Sequence, residues 1–181
     1  MRPLAVAVTG GIGAGKSEAL RAFARRGVPT LSADDVVHRL IAEDPGVRAA
    51  LEERFGTTAR ARIAAIVFAD DDELAWLEGL LHPLVWRVER EWFEGVDADV
   101  AAAEIPLLYE VGGEDRFDAV VVITAPEEVR ANRSPVARDE RGRRLLADEE
   151  KAARADFAYV NDGTLDQLDA FVGSVLERLR G

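Results

Sequence analysis

With 181 residues, 48% of them apolar and only 7 prolines, the chain has the makeup of one folded domain that buries its own core. It contains no cysteine, which excludes a disulfide framework and thiolate chemistry. Its 34 acidic against 23 basic residues give a net charge of −11, which argues against a broad nucleic-acid surface, and no run approaches the ~20 apolar residues of a membrane span.

Met1 to Gly11 holds a short apolar run that leads directly into a glycine loop, so it reads as a buried first strand, Leu4 to Val8, and not as a signal peptide. The expected location is the cytoplasm. The pattern then predicts a helix over Lys16 to Arg26, closed near Gly27, and a second strand over Val28 to Leu31. Ser32 and Asp35 carry the spacing of a helix capping box. Helical periodicity continues to Phe55, interrupted at Pro45-Gly46, and a further helix is expected from Arg60 to Phe68. Asp70 with Glu73 marks another helix start, followed by Leu74, Leu77, Leu81, Leu84 and Val88, with Pro83 expected to break or kink the element beside His82. Between the second strand and Asp99 no strand is evident, which suggests an inserted helical subdomain over residues 40–95.

Strand character returns at Val100 to Ile105, more strongly at Ala119 to Ile123, and again at Phe157 to Val160. The polar stretch from Ser134 to Arg144 reads as a lid, taken as residues 134–145, and its Arg138, Arg141, Arg143 and Arg144 form a local basic loop suited to phosphates. Thr164 and Gln167 cap a last helix whose buried stripe is read as Leu165, Leu168, Phe171, Val172, Val175 and Leu179. Short strands alternating with longer helices predict an α/β fold over residues 1–181, with helices around a mostly parallel central sheet.

The most specific local signal is Gly10-Gly11-Ile12-Gly13-Ala14-Gly15-Lys16-Ser17. It satisfies G-x-x-x-x-G-K-S between an apolar strand and a helix, the setting in which that pattern cradles phosphates. Glycines let successive N–H groups point at an anion, and the following helix adds its positive end. Lys16 supplies a mobile charge for the β- and γ-phosphates, and the Ser17 hydroxyl is a hard ligand for Mg²⁺. A dinucleotide fingerprint would need a third glycine where Lys16 stands. No Asn-Lys-x-Asp guanine-reading segment is present, and no long apolar strand ends in aspartate as motors and transporters require. A small-molecule kinase remains.

Asp34 and Asp35 follow the second strand. A carboxylate there is placed to orient an acceptor hydroxyl or hold a magnesium-bound water, although Asp35 is already explained by helix capping. His82 reads as a satisfied helix residue or as a substrate contact. Glu104, ahead of Ile105-Pro106-Leu107-Leu108, reads as a strand-exit turn or as a site acid.

Together these landmarks resemble the dephospho-coenzyme A kinase family. The resemblance rests on Thr9 to Ser17, Ala33-Asp34, Ile66-Val67-Phe68, Leu81-His82-Pro83-Leu84, Glu104-Ile105-Pro106-Leu107-Leu108, Phe117-Asp118, Ala155-Asp156, Asn161 and Gly163. It implies a three-layer P-loop kinase fold with an inserted acceptor subdomain and a short lid. It implies transfer of the ATP γ-phosphoryl group, with Mg²⁺, to the ribose 3′-hydroxyl of dephospho-coenzyme A, the last step of coenzyme A synthesis. Under it Gly11, Ile12, Gly13, Ala14, Gly15, Lys16 and Ser17 hold ATP, and Thr9, Asp34, His82 and Glu104 belong to the substrate side. Lys16 and Asp34 become catalytic, with Arg138 or Arg141 covering the transferring group. No nucleic-acid or membrane partner is implied, and a monomer or small homo-oligomer is expected. The chain departs from the family pattern at Ser32, where an aspartate is usual, at Leu145, where a glutamine is usual, and in a shorter lid. A family arginine early in the lid has no single match, since Asn132 and Arg133 compete for its position. A nucleoside or nucleotide kinase, or an ATP-binding regulatory protein, would share the loop.

Overall fold

The computed structural model describes residues 2–133 and 146–181. In chain order it contains β1 (Leu4–Gly10), α1 (Lys16–Arg25), β2 (Thr30–Ser32), α2 (Ala33–Glu43), α3 (Pro45–Phe55), α4 (Arg60–Ala69) and α5 (Asp71–Gly95). There follow β3 (Val100–Glu104), β4 (Ala119–Thr124), α6 (Glu127–Arg133), α7 (Asp148–Arg154), β5 (Phe157–Val160) and α8 (Leu165–Arg180). Two compact units result, Met1–Ser32 with Phe93–Gly181, and Ala33–Trp92. The sequence pattern had set the helical insertion at residues 40–95.

In the first unit the strands form one sheet in the order β2-β3-β1-β4-β5, and all four pairings are parallel. β1 is central and buried on both faces from Ala5 onward, as a continuous apolar run implies for a parallel sheet. Val6 and Val8 of β1, Val121 and Ile123 of β4, and Val100 and Ala102 of β3 point to one face. There Ala19, Ala22 and Phe23 of α1 and Leu168, Val172, Val175 and Leu176 of α8 close over them. The alternate residues, Ala5, Ala7, Val120 and Val122, are equally buried on the other face. The chain is thus an α/β fold of P-loop kinase architecture.

Two aspartates pin the register of the central strands. The Asp118 carboxylate accepts from the Ala5 backbone N–H at 2.8 Å and takes both Arg2 terminal nitrogens at 2.8 and 2.9 Å. Asp156 accepts from the Val120 N–H at 2.8 Å. Each carboxylate satisfies a strand-end donor that has no ladder partner. At the α1–α8 seam, Arg26 and then Arg25 hold the Asp169 carboxyl down to about 2, at 2.6 and 2.9 Å.

Three local expectations need correction. Pro83 does not end its helix, since α5 runs unbroken for 25 residues. A proline forfeits one backbone hydrogen bond, and burial of the apolar Leu81 and Val85 on either side of it offsets that loss. β2 lies at Thr30–Ser32, later than the pattern suggested, because its pairing is dictated by register with Ala102, Ala103 and Glu104. Leu165 is not in the α8 stripe but 62% exposed in the first turn, and Leu176 takes the buried place. The Thr164–Gln167 capping box is formed in both directions.

In the second unit, Asp44 caps α3 by accepting from the Val47 N–H at 2.9 Å, with Pro45 at the first helical position. Arg54 binds Glu73 through two nitrogens at 2.8 and 2.9 Å, and Phe55 meets Trp76 edge-on at 5.3 Å.

Candidate active site

The loop between β1 and α1 stands at the carboxyl end of the central strand, where open parallel sheets place their ligand sites. Its last glycine, Gly15, has φ +102°, a left-handed conformation that side chains rarely adopt, and the Asn161 amide fills the space that a Cβ would need. That amide, itself 3% exposed, donates to the Ala14 carbonyl at 2.8 Å. Arg133 Nη1 adds longer contacts of 3.5 Å to the carbonyls of Ala14 and Asn161. The turn after β5 and the end of α6 therefore clamp the Ala14 carbonyl, and the Ala14 N–H is taken within the loop by the Gly11 carbonyl at 3.2 Å.

Lys16 opens α1, and its ammonium donates to the Gly11 carbonyl at 3.0 Å, folding back over the loop. The Ser17 hydroxyl, one residue on, donates to Glu104 Oε1 at 3.1 Å. Glu104 is the last residue of β3 and only 7% exposed, and Ser32 of β2 pairs with it in register. The acid that the sequence assigned to the substrate side thus lies beside the magnesium-ligand candidate. Thr9 is fully buried, and its hydroxyl donates to the Pro106 carbonyl at 3.4 Å, fastening β1 to the turn after β3. Gly11 and Ala14 are buried, whereas Ile12 and Gly13 are half-exposed.

Among the described residues no cluster of three or more His, Asp or Glu is placed to hold a metal ion. One hydroxyl and one carboxylate make a hard oxygen pair that fits Mg²⁺ arriving on nucleotide phosphates, since that ion keeps most of its shell from phosphate and water.

In the second unit, Asp34 and Asp35 occupy the exposed first turn of α2. His82 of α5 is half-buried and stacks on Trp86 one turn later, with ring centroids 6.0 Å apart and planes 19° from parallel. Arg138, Arg141 and the rest of the lid, with Leu145, lie outside the described residues. Sequence reasoning passed over Arg130, and it left Arg133 competing with Asn132. The signal was available, for Pro126-Glu127-Glu128 after a strand announces a helix, and Arg130 and Arg133 are one turn apart on it.

A model of the dephospho-CoA kinase family matches residues 4–167. The chain belongs to the dephospho-CoA kinase family. A dephospho-CoA kinase of Mesorhizobium japonicum is 37% identical over 196 aligned positions, covering 98% of each chain. A solved structure from Thermus thermophilus shares 31% identity with a TM-score of 0.83 and covers all of both chains. The dephospho-CoA kinase of Campylobacter jejuni, at 23% identity, has the same fold with a TM-score of 0.69 over 99% of both chains. Kinase activity and ATP binding are properties of this family, and they agree with the loop.

Proposed function

We propose that the chain transfers the γ-phosphoryl group of ATP to the ribose 3′-hydroxyl of dephospho-coenzyme A, giving coenzyme A and ADP. The observation that carries this reading is the complete phosphate loop with Ser17 set against Glu104, in a chain that matches family members end to end.

The loop amides and Lys16 would bind the β- and γ-phosphates, and nucleotide binding would draw the Lys16 ammonium off the Gly11 carbonyl. Ser17, and Glu104 directly or through water, would hold a Mg²⁺ ion arriving with the nucleotide, which would supply charge neutralisation. Asp34 orients the acceptor hydroxyl and takes its proton as that oxygen bonds to the γ-phosphorus. The bond from phosphorus to the β–γ bridging oxygen breaks, and ADP leaves with the electron pair. We assign the helical unit Ala33–Trp92, which carries Asp34 and His82, to the acceptor. Arg138 or Arg141 covers the transferring group. Most of the rate gain then comes from positioning and fixed charge, with little from strong base catalysis.

The test is incubation of the purified chain with Mg²⁺-ATP and dephospho-coenzyme A, with the product identified by mass. A gain of one phosphate on the acceptor is expected. Acceptor-dependent ADP release with nucleosides or nucleoside monophosphates, and none with dephospho-coenzyme A, would overturn the assignment.

A further inference from the structure

The mouth of the phosphate loop holds an ion pair that the mechanism above does not use. Arg130 of α6 and Asp148, the first residue of α7, meet over Gly11, with Nη1 and Oδ2 3.5 Å apart. They crowd the loop itself. A Cβ at Gly11 would lie 2.8 Å from Asp148 Oδ1 and 3.0 Å from Arg130 Nη1, and one at Gly13 would lie 2.9 Å from the Arg130 carbonyl. Both side chains are mostly shielded, at 28% and 15% exposure, and Arg130 Nε is buried without a hydrogen-bond partner among the described residues.

The pair is poorly satisfied. Charge-assisted N–H···O bonds settle at about 2.7–2.9 Å, so 3.5 Å is a loose contact. A guanidinium whose Nε has no hydrogen-bond partner among the described residues therefore stands against phosphate-binding backbone, beside a stretched carboxylate. Carboxylate and phosphate oxygens meet a guanidinium in the same forked geometry, so one can replace the other. Asp148 is also not what holds its helix in place. Lys151 of α7, fully buried, makes a 2.6 Å ion pair with Glu110, and Glu110 also accepts from the Leu146 N–H at 3.1 Å. Asp148 is free to give up its partner without releasing α7.

From this geometry we propose that Arg130 is a polyphosphate-binding residue of the donor site, and that Asp148 is the anion it exchanges for a phosphate oxygen of ATP. The proposal rests on the reading of the loop as an ATP site. Asp148 then has two effects of opposite sign: it keeps Arg130 over the loop, and it sets a like charge in the path of an arriving polyphosphate. We take the second effect to be the larger, because an ion pair as loose as 3.5 Å positions its guanidinium weakly.

The test is equilibrium binding of a non-hydrolysable ATP analogue and of adenosine to the full chain and to Arg130→Gln, Arg130→Lys and Asp148→Asn, with melting temperatures as a folding control. Arg130→Gln is expected to weaken the analogue by about tenfold, the loss of one charge-assisted contact, and to leave adenosine unchanged. Asp148→Asn is expected to tighten the analogue by roughly threefold, as removal of a screened like charge should. Equal losses for analogue and adenosine in Arg130→Gln would mark a structural role and overturn the proposal, as would no loss for either. Weaker analogue binding by Asp148→Asn would overturn the exchange. Should Arg130→Gln fail to fold, Arg130→Lys carries the same test, with a smaller loss confined to the analogue. Wild-type chain that binds no analogue overturns the ATP reading itself, a result distinct from wild-type binding that Arg130→Gln leaves intact.

Discussion

At the scale of single residues, the loop shows how each side chain constrains its neighbour. Gly15 is required by its own φ and by the Asn161 amide, while Asn161 is required by the Ala14 carbonyl. Among the described residues no such interlocking is seen at Asp34, which sits exposed in a first helical turn. Its proposed task is catalytic, and substitution at an exposed position tests that task with little effect on packing. Asp34→Asn should keep the melting temperature and the ATP KM while lowering kcat by about 10², the lower range for a positioned proton acceptor. Steady-state ADP release at saturating acceptor checks this, and near-normal kcat would remove Asp34 from the mechanism. Lys16, Ser17 and the loop glycines were legible from sequence because one short pattern encodes both backbone shape and charge. Arg130 was legible only as a helix residue one turn before Arg133; its partners Asp148 and Gly11 are distant in the chain, and only the fold brings them together.

At the scale of elements, legibility followed local rules and failed where packing decided. The α8 cap was readable because Thr164 and Gln167 satisfy each other within four residues. The fate of Pro83 was not, because a proline's local cost says nothing of the burial that repays it along α5. Phe117-Asp118 and Ala155-Asp156 stood out only by resemblance, and the structure supplies the reason: both aspartates bind strand-end amides. Short α7 shows the same dependence on distant partners. Its Lys151 is fully buried against Glu110, whose second oxygen is buried without a hydrogen bond among the described residues. Removing the cation alone strands a buried carboxylate, so Lys151→Met should cost about 3–5 kcal/mol of stability. Adding Glu110→Gln should restore a large part of it. Urea unfolding of the single and double variants measures both, and a single variant as stable as wild type would show that Glu110 has another route to charge balance. At the neighbouring Tyr109, burial pushes the phenol up, and its hydroxyl has no partner among the described residues.

At the scale of the whole molecule, stability should respond to acid through the α1–α8 seam. Asp169 is depressed to about 2 by Arg26 and Arg25, below the ordinary aspartate value of about 3.9. A depressed carboxyl contributes fully above its unfolded value and loses that contribution as pH falls through its folded value. Wild type should therefore melt above Asp169→Asn at neutral pH, with the gap closing between about pH 4 and about pH 2. The gap should be small, because the groups are solvent-exposed and salt screens them. A gap constant across that range would mean that the ion pairs contribute nothing measurable.

The central place of β1 also bears on how the protein is made. Leu4 pairs with Val100, and Val6 with Ala119, so both neighbours of the first strand come from far along the chain. A nascent chain holds this apolar strand and its glycine loop unpaired through the synthesis of the entire helical insertion. Closing such distant contacts is slow, and the waiting strand is open to association with other chains. The same placement that steadies the phosphate loop in the finished molecule makes that loop one of the last features to form.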